Sequence, residues 1–152
     1  MAKRIALVAH DSRKQELSEW VAWNWQHLIR HELICTGTTG RIVEQALRDC
    51  LTDEHEAVLR ITLLRSGPLG GDQQLGAMIS EGQIDLFFFF WDPMTPQPHD
   101  VDVKALLRIA TLYNLPTACN RATADFLISS ALFSTEYQPS RPDFSGYLNR
   151  PV

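Results

Sequence analysis

Leu86-Phe87-Phe88-Phe89-Phe90-Trp91 is the longest apolar run in the chain. A short stretch this bulky on both faces fits a strand buried between two layers, rather than one with a wet side. A helix crossing a bilayer needs roughly 20 such residues, so the run predicts an interior strand over Ile84 to Trp91 and no membrane span. Four further stretches of strand length flank it: Ile5 to Ala9, Leu33 to Cys35, Val58 to Leu64 and Pro116 to Cys119. Between them, Lys14 to Ile29, Arg41 to Cys50, Asp72 to Ser80, Asp102 to Tyr113 and Ala122 to Ala131 read as helices. Val103, Leu106, Leu107 and Ala110 show the clearest helical stripe. Strands that alternate with helices and are apolar on both faces predict an α/β protein. The expected fold is a three-layer α/β/α sandwich with a doubly wound, parallel sheet of about five strands.

The chain has 152 residues, 45% of them hydrophobic, enough to fill one core. A single domain over 1–152 is expected, with 134–152 as a C-terminal tail. There Pro139, Pro142, Gly146 and Pro151 allow at most one helical turn, around Phe144 to Leu148. The polar stretch Asp49 to Glu56 reads as a surface connection. A formal charge of -4 with no basic block excludes the footprint of nucleic-acid binding. Lys3-Arg4 precede only five apolar residues before His10-Asp11, too few for a secretory leader, so a cytoplasmic location is expected. Cys35, Cys50 and Cys119 are odd in number and form no CxxC pair, which predicts buried free thiols.

In a parallel sheet ligands bind beyond the carboxyl ends of the strands. The residues following the predicted strands are His10-Asp11 with Lys14, then Thr36 to Gly40, Ser66 to Asp72, Asp92-Pro93 running to His99-Asp100-Val101-Asp102, and Asn120. Thr36-Gly37-Thr38-Thr39-Gly40 lies between a strand and a helix, where free N–H groups and the helix dipole favour an anion, and Lys14 could add positive charge. It matches neither GxxxxGK[ST] nor GxGxxG. A phosphate cradle and an ordinary turn with a helix cap stand side by side as readings of this loop.

Ser66 to Asp72 holds three of the chain's 8 glycines, so something approaches its backbone closely. Asp72 directly precedes a helical pattern and reads either as an N-cap or, on a glycine-built shelf, as a desolvated base. His99 in its Pro-rich loop could polarise a carbonyl, oriented by Asp100 or Asp102, which could equally cap the next helix. A metal held by His10, Asp11, His99 and Asp100 is disfavoured, because no HxxxH, HxH or CxxC spacing is present. Trp23 falls off the apolar face of the first helix and, if exposed, is a candidate subunit contact.

Taken together these motifs resemble the methylglyoxal synthases over nearly the whole chain. Ile5 to Asp11, Thr36 to Gly40, Ser66-Gly67-Pro68-Leu69-Gly70-Gly71-Asp72-Gln73-Gln74, Phe90-Trp91-Asp92-Pro93, Pro98-His99-Asp100 and Ala122-Thr123-Ala124-Asp125-Phe126 occur in the family's order. The resemblance implies a methylglyoxal synthase-like, flavodoxin-like fold. It also implies a carbon–oxygen lyase that converts dihydroxyacetone phosphate to methylglyoxal and inorganic phosphate, with no metal or organic cofactor, as a cytoplasmic homohexamer. By the same resemblance Asp72 is the base, His99 sits at the carbonyl oxygen and Asp102 assists. Lys14, Thr36, Gly37, Thr38, Thr39, Ser66 and Gly67 hold the phosphate end, and His10 is a further substrate contact. Arg150 matches an arginine implicated in inhibition by phosphate, although the tail is shifted there.

The expected chemistry is proton removal to an enediolate followed by expulsion of phosphate, its C–O bond held perpendicular to the enediolate plane. A non-catalytic effector module that senses phosphate or a nucleotide is the alternative on the same fold. Such a sensor needs the phosphate loops but has no use for a paired base and electrophile. Isomerisation of a triose phosphate would share the enediolate.

Overall fold

The computed structural model describes residues 1–52 and 59–151. Its strands are β1 (Arg4–Ala9), β2 (Glu32–Thr36), β3 (Arg60–Leu64), β4 (Leu86–Phe90) and β5 (Thr117–Ala118). They form one sheet in the order β3-β2-β1-β4-β5, with every pairing parallel. The helices are α1 (Lys14–Trp23), α2 (Trp25–Leu28), α3 (Gly37–Arg48), α4 (Gly71–Ser80), α5 (Asp100–Leu112), α6 (Arg121–Ser129) and a turn-long α7 (Ser145–Leu148).

The phenylalanine run explains why there are three layers. All five β4 residues are buried, and because successive side chains leave opposite faces, the run feeds two cores. Phe88 and Phe90 join Trp20, Val43, Leu47 and Ile128 beneath α1, α3 and α6; the Trp20 ring lies 4.9 Å from Phe88 and 5.8 Å from Phe90. Phe87 and Phe89 join Leu75, Ile79, Val103 and Leu106 beneath α4 and α5. Each fully buried phenylalanine is worth about 1.5–3 kcal/mol against exposure, so these layers hold β1 and β4 as neighbours in the sheet centre. The sandwich expected from the sequence is the one found. The flavodoxin-like label holds for its layers and its parallel, doubly wound sheet. In strand order, however, β3-β2-β1-β4-β5 differs from the 2-1-3-4-5 of flavodoxin and puts the switch point between β1 and β4.

Several boundaries differ from the sequence expectation. The first helix does not run unbroken to Ile29: at Asn24 both the backbone N–H and the side-chain amide donate to the Trp20 carbonyl, ending α1 before α2 begins. Helix α3 starts at Gly37 instead of Arg41, because Thr36 stays extended and Gly37, at φ +33°, turns straight into the helix. Helix α5 starts at Asp100 instead of Asp102. Strand β3 is the sheet edge and is only partly covered, with Leu63 half exposed, while Val58 and residues 53–56 of the 49–56 connection lie outside the described residues. Cys35 is buried, but Cys50 and Cys119 are only half-buried. Among the described residues no helix is long and apolar enough to cross a membrane.

Candidate active site

The crevice opens where β1 and β4 diverge. Beyond β1, the His10 N–H donates to the Phe90 carbonyl at 3.2 Å, so the first residue of the loop still belongs to the sheet. The His10 ring is buried, edge-on to Phe89 at 5.2 Å, and its Nδ1 accepts the Asp92 backbone N–H at 3.1 Å. That bond assigns a neutral imidazole with its proton on Nε2. Burial, reinforced by the nearby His99, pushes the His10 pKa down and favours the same state. Nε2 is itself buried, with no hydrogen-bond partner among the described residues.

Asp72 and His99 arrive from the other layer. Gly70, at φ +104°, and Gly71 make the turn into α4; a Cβ on Gly71 would lie 1.9 Å from the Arg65 carbonyl oxygen. This close approach starts α4 at Gly71 and makes Gly70 its N-cap, so Asp72 lies inside the first turn. Asp72 is therefore not spent as a cap, and its carboxylate points inward, 4% exposed. Burial raises its pKa, the Asp102 charge raises it further, and His99 opposes both. His99 occupies the N-cap position of α5 without using its side chain as a cap. Its Nε2 faces Asp72 Oδ2 at 3.6 Å, too far for a hydrogen bond. Asp72 Oδ2 and His99 Nδ1 are the other buried polar atoms without a partner among the described residues.

Gly67 borders that gap. A Cβ there would sit 2.9 Å from His99 Nε2 and 3.1 and 3.3 Å from the two Asp72 oxygens, so the residue must lack a side chain for the space to exist. The His10 and His99 rings lie 6.0 Å apart, nearly perpendicular. Two imidazoles and a carboxylate from three separate segments thus converge on one spot, which is the juxtaposition the sequence reading depends on.

The two loops expected from the sequence to hold the phosphate end border them. Thr36 and Ser66 are N-cap residues of α3 and of the short 67–69 turn, and neither side chain caps; their hydroxyls are not consumed in the way an ordinary cap would consume them. Gly37 packs so tightly on Ser66 that a Cβ would lie 2.6 Å from the Ser66 Cα, which holds the two loops together. The first-turn amides of Thr38 and Thr39 lack intrahelical acceptors and lie at the positive end of the α3 dipole. Lys14 Nζ donates to both Thr38 Oγ1 and Asp11 Oδ1. The Thr39 side chain is spent differently from expectation: its hydroxyl exchanges hydrogen bonds with the Ala9 backbone at 3.3 Å and ties α3 to β1. Only its amide is left to meet a ligand.

Asp102 lies in the first turn of α5, half-buried and close enough to act on Asp72. Arg150 stands in the exposed tail with its guanidinium 3.8 Å from the Tyr147 ring centre; among the described residues it shares no side-chain hydrogen bond or ion pair with the crevice. Trp23 is 85% exposed. The sequence reading left Asp92 without a role and did not single out Ser12. Ser12 Oγ donates to Asp92 Oδ2 at 2.6 Å, and the Met94 and Thr95 amides donate to Oδ1 at 2.9 and 3.3 Å. An aspartate followed by proline is a recognisable Asx-turn signal that could have found the second half of this arrangement. A cavity of about 570 Å³ opens at the opposite end of the sheet, between Lys3, Asp85, Tyr113 and Phe144, away from the convergent imidazoles and carboxylate.

Residues 20–119 match the family profile described as an MGS-like domain. The chain is 58% identical to a methylglyoxal synthase of Maridesulfovibrio salexigens, over 99% of this chain and 98% of that protein. It is 55% identical to a methylglyoxal synthase of Proteus mirabilis, over 96% of this chain and 90% of that protein. The crystal structure of methylglyoxal synthase from Elizabethkingia anophelis superimposes with a TM-score of 0.87 at 50% identity, covering 99% of this chain and 93% of that one.

Proposed function

The chain belongs to the methylglyoxal synthase family, and from that premise we propose that its crevice takes dihydroxyacetone phosphate and releases methylglyoxal and inorganic phosphate. The observation that carries this reading is the meeting of buried Asp72 and half-buried His99, 3.6 Å apart across the Gly67 shelf. A phosphate-sensing module of the same fold would have no use for that pair.

Asp72 takes the proton from the carbon beside the carbonyl. Its burial supports the role, since a desolvated carboxylate gains stability when it accepts a proton. His99 donates an N–H to the oxygen on which charge develops, and the His10 Nε2–H supplies a second donor to the substrate. Asp102 assists by keeping Asp72 basic. The phosphate end is held by Lys14, the hydroxyls of Thr36, Thr38 and Ser66, and the amides of Gly37, Thr38, Thr39 and Gly67.

An enediolate formed this way can return its proton to the neighbouring carbon or expel phosphate. Expulsion wins when the C–O bond to phosphate stands perpendicular to the enediolate plane, so that the π electrons overlap the breaking bond. Gripping the phosphate at two loops pinned by Gly37 and Ser66 fixes that torsion; such positioning is worth up to about 7–11 kcal/mol in well-aligned systems. The enol released with the phosphate then tautomerises to methylglyoxal, and every atom of the substrate is accounted for.

The reading extends to one domain over 1–152 with 134–152 as its tail, working in the cytoplasm as a homohexamer that phosphate inhibits. Exposed Trp23 and Phe126 are large aromatics suited to a subunit contact. Product phosphate presents the same charge to the same donors as the substrate does, and Arg150 in the exposed tail is the proposed link between subunits.

Incubating the protein with dihydroxyacetone phosphate in the presence of a chelator should yield methylglyoxal and phosphate in equal amounts. Glyceraldehyde 3-phosphate as the main product, or no reaction, would overturn the assignment.

A further inference from the structure

The geometry points to Ser12 and Asp92 as a clasp across the mouth of β1 and β4 that positions His10, presenting its Nε2–H to the substrate. The inference rests on the functional reading above only for what His10 donates to. The clasp itself is a property of the resting protein.

Three contacts form one unit. Ser12 follows β1 and Asp92 follows β4, the two strands that part at the switch point. Ser12 Oγ donates to the Asp92 carboxylate at 2.6 Å, a short charge-assisted bond between the two loops. The other carboxylate oxygen receives the Met94 and Thr95 amides and folds residues 92–95 back on themselves. The backbone N–H left on Asp92 then points at His10 Nδ1, 3.1 Å away. Nδ1 can accept that bond only when unprotonated, so the proton must be on Nε2. Hydrogen bonds from Ser12, Thr95 and Met94 hold the Asp92 carboxyl well below the ordinary carboxylate range, so the clasp stays charged wherever the enzyme works.

Among the described residues no second hydrogen bond holds the His10 ring. Phe89 meets its ring edge-on and sets the plane, but an apolar contact cannot choose between two nitrogens. Without the Asp92 amide the imidazole could place its proton on either nitrogen. The tautomer with Nδ1–H would present a lone pair, not a donor, to the crevice. Asp92 and Ser12 therefore act through His10 and never touch the substrate, which makes them positioning residues.

The test combines nitrogen NMR of histidine-labelled resting protein with a double-mutant cycle. In the wild type, His10 should show one neutral tautomer with an unprotonated Nδ1. Asp92→Ala should give a mixture of both tautomers, and Ser12→Ala a smaller admixture with kcat/KM lowered about 3–10-fold; Ser12→Thr should restore both. On a His10→Gln background, Ser12→Ala should cost nothing further. An unchanged His10 tautomer in Ser12→Ala, or a Ser12→Ala loss undiminished on the His10→Gln background, would overturn the clasp. Ser12 is exposed, so its variant decides the matter even where Asp92→Ala fails to fold. The NMR readout needs no turnover, so failure of the clasp is distinguishable from failure of the lyase assignment.

Discussion

His10 and His31 are built alike at opposite ends of the sheet. Each is a buried histidine, at 6% and 8% exposure. Each accepts a backbone N–H on Nδ1, from Asp92 at 3.1 Å and from Lys3 at 3.0 Å. Each lies edge-on to a phenylalanine with ring centres 5.2 Å apart. Their surroundings separate them. Around His31, at the amino ends of the strands, polar groups are paired: Arg4 gives its side chain to both Asp85 oxygens and to the Gly82 carbonyl. Around His10, at the carboxyl ends, stand three buried polar atoms that find no hydrogen-bond partner among the described residues, on His10, Asp72 and His99. Folding leaves such atoms unsatisfied only at a cost of about 1–3 kcal/mol each. The comparison teaches that burial and tautomer locking do not mark an active site; uncompensated polarity does.

The sharpest way to break this contrast is at Asp72. Asp72→Asn should lower kcat by at least about 10²–10⁴-fold while phosphate still binds, as measured by turnover and by calorimetric titration. The same substitution should raise the melting temperature. A carboxyl whose folded pKa exceeds its unfolded value binds more protons when folded, so it costs stability increasingly as pH rises through that interval, and the amide carries no such penalty. Retained turnover would reduce Asp72 to a structural residue.

Next in size is Gly67→Ala, which puts a methyl between His99 and both Asp72 oxygens. We expect about a 100-fold fall in kcat/KM with the fold intact by circular dichroism. Wild-type kinetics would mean that the gap is not where the substrate reacts.

The two histidines themselves give mirrored outcomes. His10→Gln should lower kcat/KM about tenfold with little change in melting temperature, whereas His31→Gln should cost about 1–2 kcal/mol in urea unfolding and leave kcat/KM alone. If both variants behave the same way, the contrast fails.

The smallest effect concerns acid. Burial holds the His31 pKa down to about 4, from an ordinary 6.5. The unfolded chain therefore binds the extra proton first, so His31 makes stability fall as pH drops from about 6.5 towards 4. His31→Gln should flatten that segment of a stability-against-pH curve, while His10→Gln should flatten it less, because Asp92 and Asp11 beside its ring oppose the lowering by burial and His99.

Much of this was legible in the residues. The phenylalanine run could be read as a two-faced strand because alternation leaves no polar side, and the loops after each strand announced the rim. Whether Asp72 caps its helix was not legible from the residues around it, because that turned on whether α4 begins before or after it. That was decided by Gly71 closing on the Arg65 carbonyl, a tertiary approach with no local signature. Likewise the early start of α3 pits two glycines and two threonines, poor helix formers, against packing on Ser66, and packing won. Thr39 looked like its neighbours in the loop until the Ala9 backbone claimed its hydroxyl.

Phe89 lies in the same packed cluster as Val103, four residues along from His99, and its ring also braces His10. A conservative exchange there, Phe89→Leu for instance, would register less in thermal robustness than in the aim of two proton donors. Along β4 the interior of the sheet and the floor of the crevice are therefore the same side chains. Libraries meant to retune the reaction have as much to find beneath the crevice as around it.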